Sequence, residues 1–72
     1  QIIALEQSEN SVPLLEFDPP ERVALIVGNE VDGVPGEVLA QVDAVVEIPM
    51  RGEKESLNVS VATGIALYIL TK

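Results

Sequence analysis

The sequence predicts an α/β domain built on a mostly parallel sheet, and three observations carry that expectation. Residues 2–5, 23–27 and 44–48 are short apolar runs of strand length, each closed by a charged residue, glycine or proline. Between the second and third runs lies a stretch with helical spacing, giving the strand–helix–strand crossover that parallel strands require. Residues 57–70 then form a broad apolar segment of helix length.

The first strand, Ile2-Ile3-Ala4-Leu5, ends at Glu6 and is followed by the polar loop 7–11. Residues 12–17 mix apolar side chains with Pro13 and run into Asp18-Pro19-Pro20, where two prolines remove backbone donors; this reads as an irregular connection. Val23-Ala24-Leu25-Ile26-Val27 is apolar without interruption, the pattern of a central strand covered on both faces. Pro35 is suited to open a helix, and Val38, Leu39 and Val42 recur at three- and four-residue spacing before Asp43 ends it. Residues 44–48 form the next strand, stopped by Pro49. In residues 57–70 the apolar positions fill more than one stripe, so a heavily buried helix is expected, with Gly64 marking a close approach to another backbone.

The chain has 72 residues, 47% of them hydrophobic and 22% charged, which suits one globular unit rather than a disordered segment. A unit this small is commonly stapled by disulfides or a metal, but Cys and His are both absent, so packing against further protein is expected. Their absence also removes thiol and Ser-His-Asp catalysis, His acid–base chemistry and zinc-finger ligation. The lack of Cys, of a basic-apolar leader and of an 18-residue apolar span makes cytoplasmic the expected location, with no membrane partner. The net charge is −8, unevenly placed: residues 1–50 carry ten acids against Arg22 alone, whereas 51–72 carry Glu53 and Glu55 against Arg51, Lys54 and Lys72. Acidity of this order argues against a broad phosphate-binding surface on this chain.

Two strand-to-helix loops are the site candidates, because open α/β sheets bind ligands beyond the carboxyl ends of their strands. The first runs Gly28-Asn29-Glu30-Val31-Asp32-Gly33-Val34-Pro35-Gly36. Its glycines lack the G-x-G-x-x-G spacing, it has no P-loop lysine, and its acids do not follow EF-hand spacing. The second, residues 48–60, offers Ser56 and Asn58 as caps for helix amides. Asn58-Val59-Ser60 also matches a glycosylation sequon, which requires a secretory setting that the sequence does not indicate. The two loops are expected to follow neighbouring strands and to form a groove of backbone donors and acceptors with few ionisable groups. Such a groove reads the edge of a neutral heterocycle, sandwiches its ring between apolar residues such as Ile48 and Leu57, and tolerates a cationic ligand beside its acids.

Val-Gly-Asn-Glu-x-x-Gly-Val at 27–34 followed by Ile-Pro-Met-x-Gly-x-x-x-Ser-Leu-Asn-Val-Ser-Val-Ala at 48–62 resembles the last two motifs of the SpoU (TrmH-type) RNA ribose methyltransferases of the SPOUT superfamily. Ile2-Ile3-Ala4-Leu5-Glu6-Gln7 is similar to the family's preceding strand, so the resemblance covers roughly residues 2–70. It implies that residues 1–72 are the C-terminal half of an α/β-knot domain, with a trefoil knot, and that the N-terminal half and the first motif lie outside this chain. It also implies S-adenosyl-L-methionine (AdoMet) as cofactor, with Gly28, Ile48 and Leu57 at the main-chain contacts and Asn29, Met50, Ser56 and Asn58 flanking them. Glu30 and Asn58 correspond to positions that organise the catalytic site.

The reaction implied is methyl transfer to a ribose 2′-hydroxyl of tRNA or rRNA, by a homodimer paired through the knot and the final helix. The family's catalytic arginine belongs to the first motif, and neither Arg22 nor Arg51 stands in that context, so this chain alone is expected to be inactive. The competing expectation is a noncatalytic dimerisation or regulatory module, favoured by small size, acidity and the missing arginine.

Overall fold

The structure is a computed structural model and describes residues 1–29, 32–49 and 59–72. In chain order the elements are β1 (Ile2–Leu5), β2 (Val12–Pro13), a single 3-10 turn (Leu14–Glu16), β3 (Ala24–Val27), α1 (Gly36–Leu39), β4 (Ala44–Glu47) and α2 (Val59–Thr71). The strands form one sheet in the order β2-β4-β1-β3. Every pairing is parallel: β1 faces β3 with Ile3 opposite Leu25, β1 faces β4 with Leu5 opposite Val46, and β2 faces β4 with Val12 opposite Val46. The α/β class and the parallel sheet are therefore as the sequence predicts.

Side chains alternate across the sheet with a period of two. One face carries Ile3, Leu5, Val23, Leu25, Ala44, Val46 and Ile48, and these join Leu14, Ala66 and Leu70 in a single hydrophobic core. Ile3 and Val46 are fully buried at its centre. The inward stripe of α2 is Val59, Ala62, Ala66, Ile69 and Leu70, the three- and four-residue spacing of one helix face. At the opposite edge of the sheet, Asp43 pins the start of β1 to the start of β4: its carboxylate accepts from Ile2 N at 2.7 Å and its N–H donates to the Ile2 carbonyl at 2.8 Å.

Several expectations are corrected. Residues 23–27 do not form the central strand: β3 is the edge of the four-stranded sheet, and Val27 is partly exposed. The strand between β3 and β4, with Ile3 and Ala4 buried, is β1; β4 in turn lies between β1 and β2. Nor is β3 covered on both faces within this chain, since Ala24 and Val27 are exposed and Leu25 and Ile26 only half-buried; an uninterrupted apolar run anticipates such cover from further protein and carries no information about lateral neighbours. The crossover helix does not reach Val42: α1 is one turn, and Pro35 stands outside it with an extended ψ of 145°. It lacks a side-chain N-cap, and so short a segment gains little helical cooperativity. Residues 12–17 are more ordered than an irregular connection, because Val12 and Pro13 add a parallel edge strand. Proline is compatible with that placement, since an edge strand need not donate on its open side.

The final helix is not heavily buried within this chain. Only Ala66 and Leu70 are buried, whereas Val61, Ile65, Leu67 and Tyr68 are exposed. A Cβ on Gly64 would meet nothing within 4 Å, so the close approach expected there does not occur among the described residues. Among the described residues, no helix is long and apolar enough to cross a membrane.

Candidate functional site

Because all four strands are parallel, their carboxyl ends share one edge of the sheet, and both candidate loops leave from it. The strands they follow are not neighbours, however, which corrects the expectation from sequence. β1 runs between β3 and β4, so the two exits are separated by two strand spacings, about 10 Å. The end of β1 fills that interval, and the residue there is Glu6.

Glu6 connects both sides. Its backbone N–H extends the β1–β4 ladder by donating to the Val46 carbonyl at 2.9 Å. Its carboxylate turns to the other loop, where Oε2 accepts from Val34 N at 2.8 Å, while Oε1 accepts from Gln7 N at 3.0 Å. Gly33 admits this carboxylate: its φ is +69°, and a Cβ there would lie 2.3 Å from Glu6 Oε2. A left-handed backbone with no room for a side chain is a position for glycine.

The loop after β3 folds back on itself at Asn29. Asn29 Oδ1 accepts from Asp32 N at 2.6 Å, and Gly33 N donates to the Asn29 carbonyl at 3.1 Å. The side-chain bond mimics a backbone turn, as asparagine does at loop starts, and it brings Gly33 directly against Gly28. Across the sheet edge, Glu47 at the end of β4 accepts from Ser11 Oγ.

Of the residues predicted to hold the cofactor, the structure brings Gly28, Asn29 and Ile48 to this one edge. Gly28 and Ile48 are half-buried, and Asn29 is exposed. Glu30, Met50, Ser56, Leu57 and Asn58 lie outside the described residues, as do Arg51 and Lys54. Gly33 was read as a glycine of the candidate loop and of the 27–34 motif, but Glu6 was not singled out as a site residue. The available signal was the acidic residue that closes the apolar run of β1, and a single acid in that position ordinarily marks the strand's exit to solvent.

Chemically, the edge offers strand-end main-chain groups, the apolar Ile48 side chain and the carboxylates of Glu6, Asp32 and Glu47. Among the described residues no group of three or more His, Cys, Asp or Glu is arranged to hold a metal ion. This arrangement suits an organic ligand with hydrogen-bonding edges and positive charge better than a free phosphate.

A parallel sheet with its candidate loops at the carboxyl edge defines the class as an open α/β unit, a class whose ligand sites lie at that edge. Within that class, residues 1–68 match the model of the SpoU rRNA Methylase family, and the chain belongs to that family. It is 48% identical over 68 residues to the tRNA (guanosine(18)-2′-O)-methyltransferase of Aquifex aeolicus (strain VF5), covering 94% of this chain and 32% of that protein. Among solved structures it superposes on the A. aeolicus TrmH/SpoU tRNA modifying enzyme with a TM-score of 0.84 and 46% identity, covering 99% of this chain and 36% of the other. It superposes on the AdoMet-bound rRNA methyltransferase from Sinorhizobium meliloti with a TM-score of 0.87 and 35% identity, covering 97% and 27%. The chain thus spans about a third of the length of these three proteins.

Proposed function

We propose that this chain is the AdoMet-binding part of an RNA methyltransferase that transfers a methyl group to a ribose 2′-hydroxyl of tRNA or rRNA. The observation that carries the reading is the match over residues 1–68 to a family of RNA methylases, in which one structurally similar relative is AdoMet-bound. The edge described above fits such a donor. Gly28 presents main chain at the end of β3, the half-buried Ile48 presents main chain beyond β4, and the carboxylates of Asp32 and Glu47, rather than the Glu6 carboxylate bound to Val34 N, favour a sulfonium cation. Gly28 and Ile48, with Leu57, would hold the adenosine through main-chain groups, and Asn29, Met50 and Ser56 would flank it.

AdoMet supplies a methyl group made electrophilic by its sulfonium. The ribose oxygen attacks that carbon in line, a C–O bond forms as the C–S bond breaks, and the hydroxyl proton passes to a base. The protein's part is to hold the hydroxyl close to the methyl and to keep its proton acceptor in reach. Glu30 and Asn58 are assigned the supporting role there, and the principal base is assigned to a part of the protein beyond residues 1–72.

In this reading residues 1–72 are the C-terminal part of a SpoU domain whose final segment passes through a preceding loop as a trefoil knot, an arrangement rare among folds. Two copies pair in the cytoplasm through α2. Val61, Ile65 and Tyr68 support that pairing, since they form a second apolar stripe opposite the inward one and are 51%, 37% and 71% exposed. Phosphate contacts fall mainly to protein beyond this acidic chain, with Arg51 and Lys54 as its own contribution.

The test is to incubate the intact parent protein with methyl-labelled AdoMet and tRNA or rRNA, digest the RNA and identify the labelled nucleoside by mass spectrometry. Label in a 2′-O-methylnucleoside is the expected result. A protein that dimerises and leaves RNA unlabelled would instead be a noncatalytic dimerisation module.

A further inference from the structure

We propose that Glu6 is a positioning residue for the methyl-donor site, holding the loop after β3 in the shape that the donor needs; the inference rests on the AdoMet reading above. Two independent features carry it. Glu6 stands at the end of the strand that separates the two loops, with its backbone bound to Val46 and its carboxylate bound to Val34 N. Gly33, with a φ of +69°, leaves open the space that this carboxylate enters.

An ionised carboxylate shared between two backbone N–H groups makes charge-assisted hydrogen bonds, stronger and more directional than neutral ones. One of its donors, Val34, is buried, so removing the acceptor would leave a desolvated N–H without its partner. The described part of the loop around Gly33 and Val34 would then lose the tie to the end of β1 that the Glu6 carboxylate makes, and Gly28 would move relative to Ile48. Glu6 touches no reacting atom in this account; it acts through the position of the Gly28 main chain.

Asp43 provides a matched control. Its carboxylate also accepts a backbone N–H, from Ile2 at 2.7 Å, but at the opposite edge of the same sheet. In the intact parent protein, Glu6→Ala is expected to weaken binding of both AdoMet and S-adenosylhomocysteine about tenfold, by the same factor, and to raise KM for AdoMet while kcat at saturating AdoMet is retained. Glu6→Gln, which keeps one oxygen for Val34 N, is expected to recover most of that loss, and it carries the same test where the alanine variant fails to fold. Asp43→Ala is expected to lower thermal stability and leave both affinities unchanged.

Wild-type affinity in both Glu6 variants would overturn the inference. So would an equal loss of affinity in Asp43→Ala, which would reduce the effect to stability, or a loss for AdoMet far larger than for its neutral product, which would make Glu6 a charge partner rather than a positioning residue. Failure of the wild-type protein to bind AdoMet would remove the functional reading itself, a result separable from all of these.

Discussion

A Cβ placed on Gly28 would lie 2.1 Å from the carbonyl carbon of Gly33 and 2.4 Å from Val34 N, so the two glycines meet where the loop after β3 folds back. No rotamer relieves a clash made by a Cβ against backbone. Gly28→Ala is therefore expected to displace the loop and to abolish AdoMet binding by the intact protein, measured by calorimetry. Gly33→Ala should cost stability as well, since a left-handed alanine alone is unfavourable by about 1–2 kcal/mol before the contact with Glu6. Gly36→Ala meets open space and should be neutral or stabilising by about 0.4–1 kcal/mol. A denaturant series in which Gly36→Ala costs as much stability as Gly28→Ala or Gly33→Ala would contradict the loop geometry.

Ile3 is fully buried on β1, which lies between β4 and β3. Ile3→Val should destabilise the intact protein by about 0.5–1.5 kcal/mol and Ile3→Ala by about 2–5 kcal/mol, the larger value including the cavity left behind. Chemical denaturation gives both numbers, and a cost for Ile3→Ala below that of Ile3→Val would show that β1 is not central.

Thr63 Oγ1 is buried on α2 with no hydrogen-bond partner among the described residues. Valine has nearly the same shape and no hydroxyl to desolvate. Thr63→Val is expected to raise stability by about 1 kcal/mol, readable as an increase in the denaturation midpoint; a decrease would mean that the hydroxyl is satisfied.

The stripe Val61, Ile65 and Tyr68 should weaken self-association when charged. Ile65→Glu and Tyr68→Glu in the intact protein are expected to shift sedimentation from dimer to monomer, while Leu15→Glu, on the exposed 78% side chain of the 3-10 turn, should leave it unchanged. An undiminished dimer in both stripe variants would assign pairing to another surface.

Much of the fold was legible because it depends on local pattern. Strand residues 2–5, 24–27 and 44–47 follow from their apolar runs, and their parallel sense follows from the crossovers between them. Lateral order was not legible: β1 and β3 are both short apolar runs, and nothing in either specifies which has two neighbours. That single ambiguity hid the importance of Glu6, whose position between the loops exists only once β1 is placed between β3 and β4. In α2, composition announced two apolar stripes but not that one of them faces outward in this chain. The placement of Gly28, Asn29 and Ile48 at one edge was readable because the ends of parallel strands share an edge, while their assignment to a cofactor came from the family resemblance.

The central claim is that main chain at the ends of β3 and β4 grips one methyl donor across the end of β1. The most direct test is the structure of the intact protein with S-adenosylhomocysteine bound. The account predicts the adenosine at the carboxyl edge of the sheet, within hydrogen-bonding distance of backbone at Gly28 and Ile48. A ligand seated at the opposite edge near Asp43, or touching only one of the two loops, would contradict it.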